Sequence, residues 1–241
     1  MEPTRLLYLE NAGLVTESTI LAIIRDGEQT KIVLDATLFY PQGGGQPSDR
    51  GELRSHNGVF AVESVRFVDG VVYHQGAFFT GTFELGEKVT GTINKELRLL
   101  HSRLHSAGHL IDFAMRKLGF TWLPTKGYHF TEGPYVEYAG ALGAIDIEKL
   151  QKDIGVICND TIKKDAETFS SLVTLDELKK LCESVPEYLP QNKPIRVVAF
   201  EGFYVPCGGT HVARLSEIGS LFVRKIKAKG DLVRISYALS E

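Results

Sequence analysis

"NKELRLLHSRLHSAGHLIDFAMRKLG", residues 94–119, is where the texture of the chain changes. Before it, apolar residues come in short alternating runs. Within it they recur every three or four residues, the spacing of one helix face. Asn94 is a helix start signal, and Gly119 stands just past the last periodic residue. The stretch also carries three of the chain's 7 histidines, His101, His105 and His109, at strict four-residue spacing. On a helix, residues four apart lie one turn above each other. Imidazoles crowded on one face repel if protonated and go unsatisfied if buried, unless a cation binds the neutral rings. The helix therefore divides the chain and raises the question of a metal.

Upstream the chain reads as β. "ILAIIRDGEQTKIVLDATLFY" (20–40) and "GVFAVESVRFVDGVVYHQG" (58–76) alternate Val, Ile, Phe and Thr around two hairpin turns, Asp26-Gly27 and Asp69-Gly70. "GEKVTGTIN" (86–94) adds another strand. Closely spaced strands with glycine turns indicate a small barrel or strongly bent sheet. Downstream, "GYHFTEGPYVEYAG" (127–140) reads as a strand pair. "DIEKLQKDIGVICNDTIKKDAE" (146–167) and "TLDELKKLCESVPEYL" (174–189) read as amphipathic helices. "IRVVAFEGF", "GSLFVRKIKAKG" and "DLVRISYAL" return to strands. The fold class expected is α+β, with an N-terminal β-barrel domain over 1–93 and an α+β domain over 94–241. There is no internal repeat.

A length of 241 residues suits one large or two ordinary domains. With 27 basic and 30 acidic residues the net charge is −3, which excludes binding to nucleic acid by bulk charge but not by a local patch. Three separated cysteines, Cys158, Cys182 and Cys207, are not a disulfide framework. The N-terminal residues lack signal-peptide features and no apolar run is long enough to cross a bilayer. A reduced, cytoplasmic protein is expected, with no membrane and no obligate protein partner.

About a hundred residues after the histidines comes "VPCGGTH" (205–211), with Cys207 and His211 four apart around two glycines that let the backbone bend tightly. Two clips of this kind suit Zn²⁺, which takes imidazole and thiolate in tetrahedral geometry. Spacing alone does not choose between His101/His105 and His105/His109. The small Ser106, Ala107 and Gly108 favour the second pair, since they leave room for another segment or a substrate. No HExxH is present, so a metalloprotease is not indicated. The other unusual stretch, "FYPQGGGQPSDRG" (39–51), matches neither a P-loop nor the dinucleotide fingerprint. Its glycines suit backbone shaped to approach a ligand closely.

"LDATLFYPQGGGQPSDRG", "RLHSAGHLID" and "CGGTHVARLSEIGS" resemble, in order and spacing, the signatures of the alanyl-tRNA synthetase editing domain and of its free-standing relatives, the AlaX proteins that hydrolyse mischarged tRNA(Ala). The resemblance is to the medium-length, free-standing type. It implies one zinc per chain held by His105, His109, Cys207 and His211, with His101 outside the ligand set. It also implies a substrate-binding motif at Gly43, Gly44, Gly45 and Gln46, and a threonine near the substrate hydroxyl at Thr37. The implied activity is zinc-dependent deacylation of tRNA(Ala) mischarged with serine or glycine. Two rivals are a non-catalytic, structural-zinc tRNA-binding module and a zinc hydrolase acting on a small ester or amide. Candidate phosphate contacts are residues 224–230 ("RKIKAKG"), Lys163, Lys164, Arg98 and Arg103.

Overall fold

In the computed structural model, residues 1–10, 13–27, 29–182, 185–186 and 189–240 are described. The chain divides into two compact units, Met1–Gly43 with Pro47–Leu100, and Gly44–Gln46 with His101–Glu241.

The first unit holds strands β1 (Arg5–Leu6), β2 (Val15–Asp26), β3 (Gln29–Leu34), β4 (Ala36–Thr37), β5 (Gly51–Arg54), β6 (Gly58–Val68), β7 (Val71–Gly81) and β8 (Lys88–Ile93). Six of them close a barrel in the order β2-β3-β7-β6-β5-β8. The Asp69-Gly70 turn forms as read, with Asp69 (φ 49°) and Gly70 (φ 84°) in the left-handed backbone that a two-residue turn needs. The other is shifted from the expected Asp26-Gly27: Asp26 is still in β2, paired with Gln29, and Gly27 (φ 61°) follows it. Alternate residues point inward, so Ile32, Leu34, Leu53, Phe60, Val62 and Val72 fill the barrel. The short β1, β4 and β5 were not legible in the sequence. β1 and β4 pair parallel, apart from the barrel.

The helix that divides the chain, α1, runs Lys95–Lys117. Asn94 caps it, its Oδ1 accepting from the Leu97 N–H at 3.0 Å, and Gly119 (φ 85°) ends it. The strand pair that follows starts earlier than expected, β9 at Leu123–Tyr128 and β10 at Tyr135–Ala139. α2 spans Ile147–Lys163 and buries Leu150, Ile154, Cys158, Thr161 and Ile162 along one stripe. β11 (Phe169–Val173), missed in the sequence, precedes α3 (Leu175–Leu181), which a Thr174–Glu177 capping box starts. α3 is shorter than expected, and residues 183, 184, 187 and 188 of that expected helix lie outside the described set.

"IRVVAFEGF" is not one strand. β12 (Ile195–Phe200) turns at Glu201 and Gly202, both with left-handed φ, into β13 (Phe203–Pro206). β14 (Leu221–Lys229) and β15 (Leu232–Leu239) complete a four-stranded sheet, β14-β15-β10-β9, beside a three-stranded one, β11-β12-β13. The unit is α+β. Among the described residues no helix is long and apolar enough to cross a membrane.

Candidate metal centre

One helical turn separates His105 and His109, whose rings stack at 5.0 Å. The second clip follows β13. Arg196 Nη1 donates to the carbonyls of Cys207 and Gly209, both at 2.9 Å, which fixes the turn carrying Cys207 and His211. The backbone bends at Gly209, as expected, although neither glycine of that turn has a left-handed φ. The need is instead for space, since a Cβ on Gly209 would collide with the His105 ring. The ligand atoms of His105, His109, Cys207 and His211 all lie within 4.8 Å of one another. Cys207 Sγ is 3.4 Å from the Nε2 of both His105 and His109. His101 is buried on α1 and is not in the group, as expected of a residue outside the ligand set.

Other side chains orient these donors. Gln46 Oε1 accepts from His105 Nδ1 at 2.6 Å and from the Thr210 N–H at 3.0 Å, while its Nε2 donates to Thr210 Oγ1 at 2.8 Å. With Nδ1 donating, His105 keeps its Nε2 lone pair for a metal. His109 Nδ1 faces Asp112 Oδ2 at 3.3 Å, and Asp112 Oδ1 accepts from the Tyr138 hydroxyl at 2.6 Å. Carboxylate support of a ligating histidine is a recurrent feature of zinc sites. His129 packs face to face on His105 at 4.7 Å, its Nδ1 bonded to the Tyr237 hydroxyl at 2.7 Å. A Cβ on Gly108 would strike the His129 ring, so the small residues between the histidines do admit another segment.

Burial opposes charge at Cys207, but the histidines around it outweigh this and hold the thiol well below its usual range. Burial likewise disfavours a charged His109, yet Cys207 and Asp112 raise it to about 10. Burial lowers His211 to about 4. Both His211 ring nitrogens are buried without a hydrogen bond of ordinary geometry. Such orphaned atoms, beside one thiolate and two oriented imidazoles, suit Zn²⁺.

The glycine motif divides between the units. Gly43 accepts from the Tyr40 hydroxyl at 2.9 Å. Gly44 and Gly45 have left-handed φ (53° and 77°), and a Cβ on Gly45 would strike the Gly127 carbonyl. The Gly45 carbonyl accepts from the His129 N–H at 2.8 Å. Thr37, in the barrel unit, is fully buried. It shares a 2.8 Å hydrogen bond with His74 Nε2 and accepts from the Phe39 N–H at 3.0 Å. His74 Nδ1 lies 3.1 Å from the Ile32 carbonyl, which only an Nδ1–H can satisfy. Nε2 is then the acceptor and Thr37 the donor.

Two candidate phosphate contacts are corrected. Arg98 is buried against Asp49 and the Leu38 carbonyl. Arg103 donates to the carbonyls of Ile218 and Ser240. Lys163 and Lys164 are exposed but pair with Asp160 and Glu201.

Two family profiles match. Residues 8–97 match tRNA synthetases class II (A), and residues 195–235 match the threonyl and alanyl tRNA synthetase second additional domain. The chain is 30% identical to the alanine–tRNA ligase of Methanothrix thermoacetophila over 98% of its own length and 26% of the ligase. Against the ligase of Haloquadratum walsbyi the figures are 28%, 100% and 26%. In class, then, this is an alanyl-tRNA-synthetase-like chain. Within that class its likeness is to the AlaX-type alanyl-tRNA editing proteins: it is 30% identical to AlaX-L of Pyrococcus horikoshii, over 92% of this chain and 54% of that protein. The chain spans about a quarter of those ligases and about half of AlaX-L.

Proposed function

We propose that the chain deacylates tRNA(Ala) mischarged with serine, and with glycine, in a zinc-dependent ester hydrolysis. The observation that carries this is the cluster of His105, His109, Cys207 and His211, with two of its histidines already oriented by Gln46 and Asp112. A bound zinc would supply fixed positive charge to orient and polarise the aminoacyl ester. The chain's own residues do the rest. Gln46 and Asp112 hold two imidazole lone pairs in place, and Arg196 holds the turn that carries Cys207. Gly45 brings the glycine-rich backbone against Gly127 and His129.

The need for such an activity is physical. A pocket built for alanine rejects serine, which merely adds a hydroxyl, by only about a hundredfold. A second site must bind that hydroxyl positively. Thr37 suits the role by its chemistry. Its proton is committed to His74, which leaves one oxygen lone pair for a donor such as the seryl hydroxyl. Contact requires displacement of the side chains that enclose it.

A complete set of four protein donors is also the pattern of a structural zinc, which favours the binding-module reading. Incubation with Ser-, Gly- and Ala-tRNA(Ala), with and without chelator, separates the two. Chelator-sensitive loss of the seryl and glycyl esters, with Ala-tRNA(Ala) spared, supports editing. Binding without turnover refutes it.

A further inference from the structure

The outer face of the sheet β14-β15-β10-β9 carries a concentration of cations. Lys227 lies opposite Arg234, Arg234 opposite Glu137, and Glu137 opposite Lys126. One rung thus crosses all four strands with three cations and one acid. The adjacent rung carries Lys225, Ser236, Tyr135 and Tyr128. The alternate residues Val136, Tyr138, Val233, Ile235 and Ile226 are buried, so both rungs face outward. Glu137 is already paired with Arg234 at 3.0 Å. Lys126, Lys225 and Lys227 are exposed, and none is paired with a carboxylate among the described residues. Like charges directly opposite on neighbouring strands are destabilising. Lys227 also holds the Lys225 ammonium below its usual range. Arg234 and Lys126 face Glu137, but Lys225 and Lys227 have no acid opposite them, and in a chain of net charge −3 the cluster is a local exception.

A column of rings lies on the same face. Phe130 stacks on Tyr128 at 4.5 Å, Tyr128 on Tyr135 at 5.3 Å, and the Arg234 guanidinium covers Tyr135 at 3.9 Å. Phe130 has no second ring partner among the described residues. His129, between Tyr128 and Phe130 in sequence, points to the opposite face and packs on His105, so the column and the cluster lie on either side of the edge strand β9. Cations for a phosphate backbone together with ring faces for bases are the elements of single-strand binding. An acidic peptide would use the cations and leave the rings without a role.

We propose that this face binds the single-stranded 3′ end of the tRNA, its phosphates on Lys126, Lys225 and Lys227 and a base stacked on Phe130. The inference rests on the editing reading, which requires that end to reach the cluster. The experiment is binding of uncharged tRNA(Ala) to the zinc-loaded full chain across a salt series. It compares wild type, the triple variant Lys126→Gln/Lys225→Gln/Lys227→Gln, and Phe130→Leu. A transcript lacking the 3′ single strand is run in parallel. At about 0.7 per phosphate contact, the triple variant should lose about 2 from the slope of log affinity against log salt. Phe130→Leu should lose about tenfold in affinity at unchanged slope. The triple variant should melt close to wild type, because repulsion relieved at Lys225 and Lys227 offsets the lost pairing of Lys126 with Glu137. With the shortened transcript, wild type and variants should bind alike.

Unchanged slope and affinity in the triple variant overturn the proposal. So does a slope loss that persists with the shortened transcript, which would put the lysines on the stem. A wild-type chain that deacylates Ser-tRNA(Ala) while the triple variant binds normally sinks this face alone. A wild-type chain that neither binds nor deacylates sinks the editing reading with it.

Discussion

Replacing Gln46 with Met separates two roles that its position in the glycine motif leaves entangled. The side chain is fully buried and its oxygen accepts from both His105 Nδ1 (2.6 Å) and the Thr210 N–H (3.0 Å). Methionine keeps the length and removes the one oxygen that accepts both bonds. Each buried donor left unpaired costs about 1–3 kcal/mol, so the two together cost about 2–6 kcal/mol. Part of this falls on folding and part on metal affinity, because the His105 ring loses the contact that fixes its tautomer. Loss of such a supporting contact typically weakens a metal about 10- to 100-fold. The assay is zinc competition against a chromophoric chelator, with urea unfolding of the same samples and deacylation of Ser-tRNA(Ala). Gln46→Glu, which retains an acceptor for His105, should recover most of the zinc affinity. If Gln46→Met binds zinc as tightly as wild type and loses only seryl deacylation, Gln46 reads substrate and its role as a support for His105 is wrong.

Three further outcomes follow from the same geometry. Cys207→Ala removes the only thiolate of the cluster, so zinc per chain and deacylation should fall together; unchanged metal content would remove Cys207 from the ligand set. Thr37→Val should slow Ser-tRNA(Ala) deacylation about five- to hundredfold, from a lost hydrogen bond of about 1–3 kcal/mol, and leave Gly-tRNA(Ala) nearly unchanged; equal losses on both would assign Thr37 to the fold. Burial lowers His74 from its usual 6.5 to about 4, so the unfolded chain takes up the proton first as pH falls. The stability this contributes is complete above pH 6.5 and is lost as pH falls to about 4, a total of about 3 kcal/mol. Urea unfolding of wild type and His74→Gln at several pH values in that window checks it, and identical pH dependence would refute it.

The barrel was legible where strands were long and turns were chemically marked. Gly27 and the Asp69-Gly70 pair take left-handed backbone, and the flanking runs alternate over enough residues to reveal a period. β1 and β4 have two residues each and β5 has four, too few to show one. The two ligand clips could be read because each is local, its members four residues apart. Their supports are a different matter. Asp112 is the local exception, three residues after His109 on the same helix. His129 and Tyr237 meet across 108 residues, and Gln46 and Thr210 across 164. No local pattern encodes such pairs. Arg98 and Arg103 misled for the related reason that a charge in the sequence does not say whether a carboxylate or a carbonyl awaits it.

The three residues Gly44–Gln46 are grouped with a unit whose remainder begins only at His101. During synthesis Gln46 leaves the ribosome well before His105 and long before Thr210, and it must wait for both. Closing a loop of 164 residues is entropically costly and slow. The site therefore belongs to the late stage of folding, after the barrel hairpins, whose partners are near neighbours in the chain. Modularity suffers in the same way. A cut at residue 94 leaves all four metal donors on one fragment and strands on the other the residue that holds His105. Gene fusion can carry this chain whole into a longer protein, but recombination at the helix start would deliver the donors without their orientation.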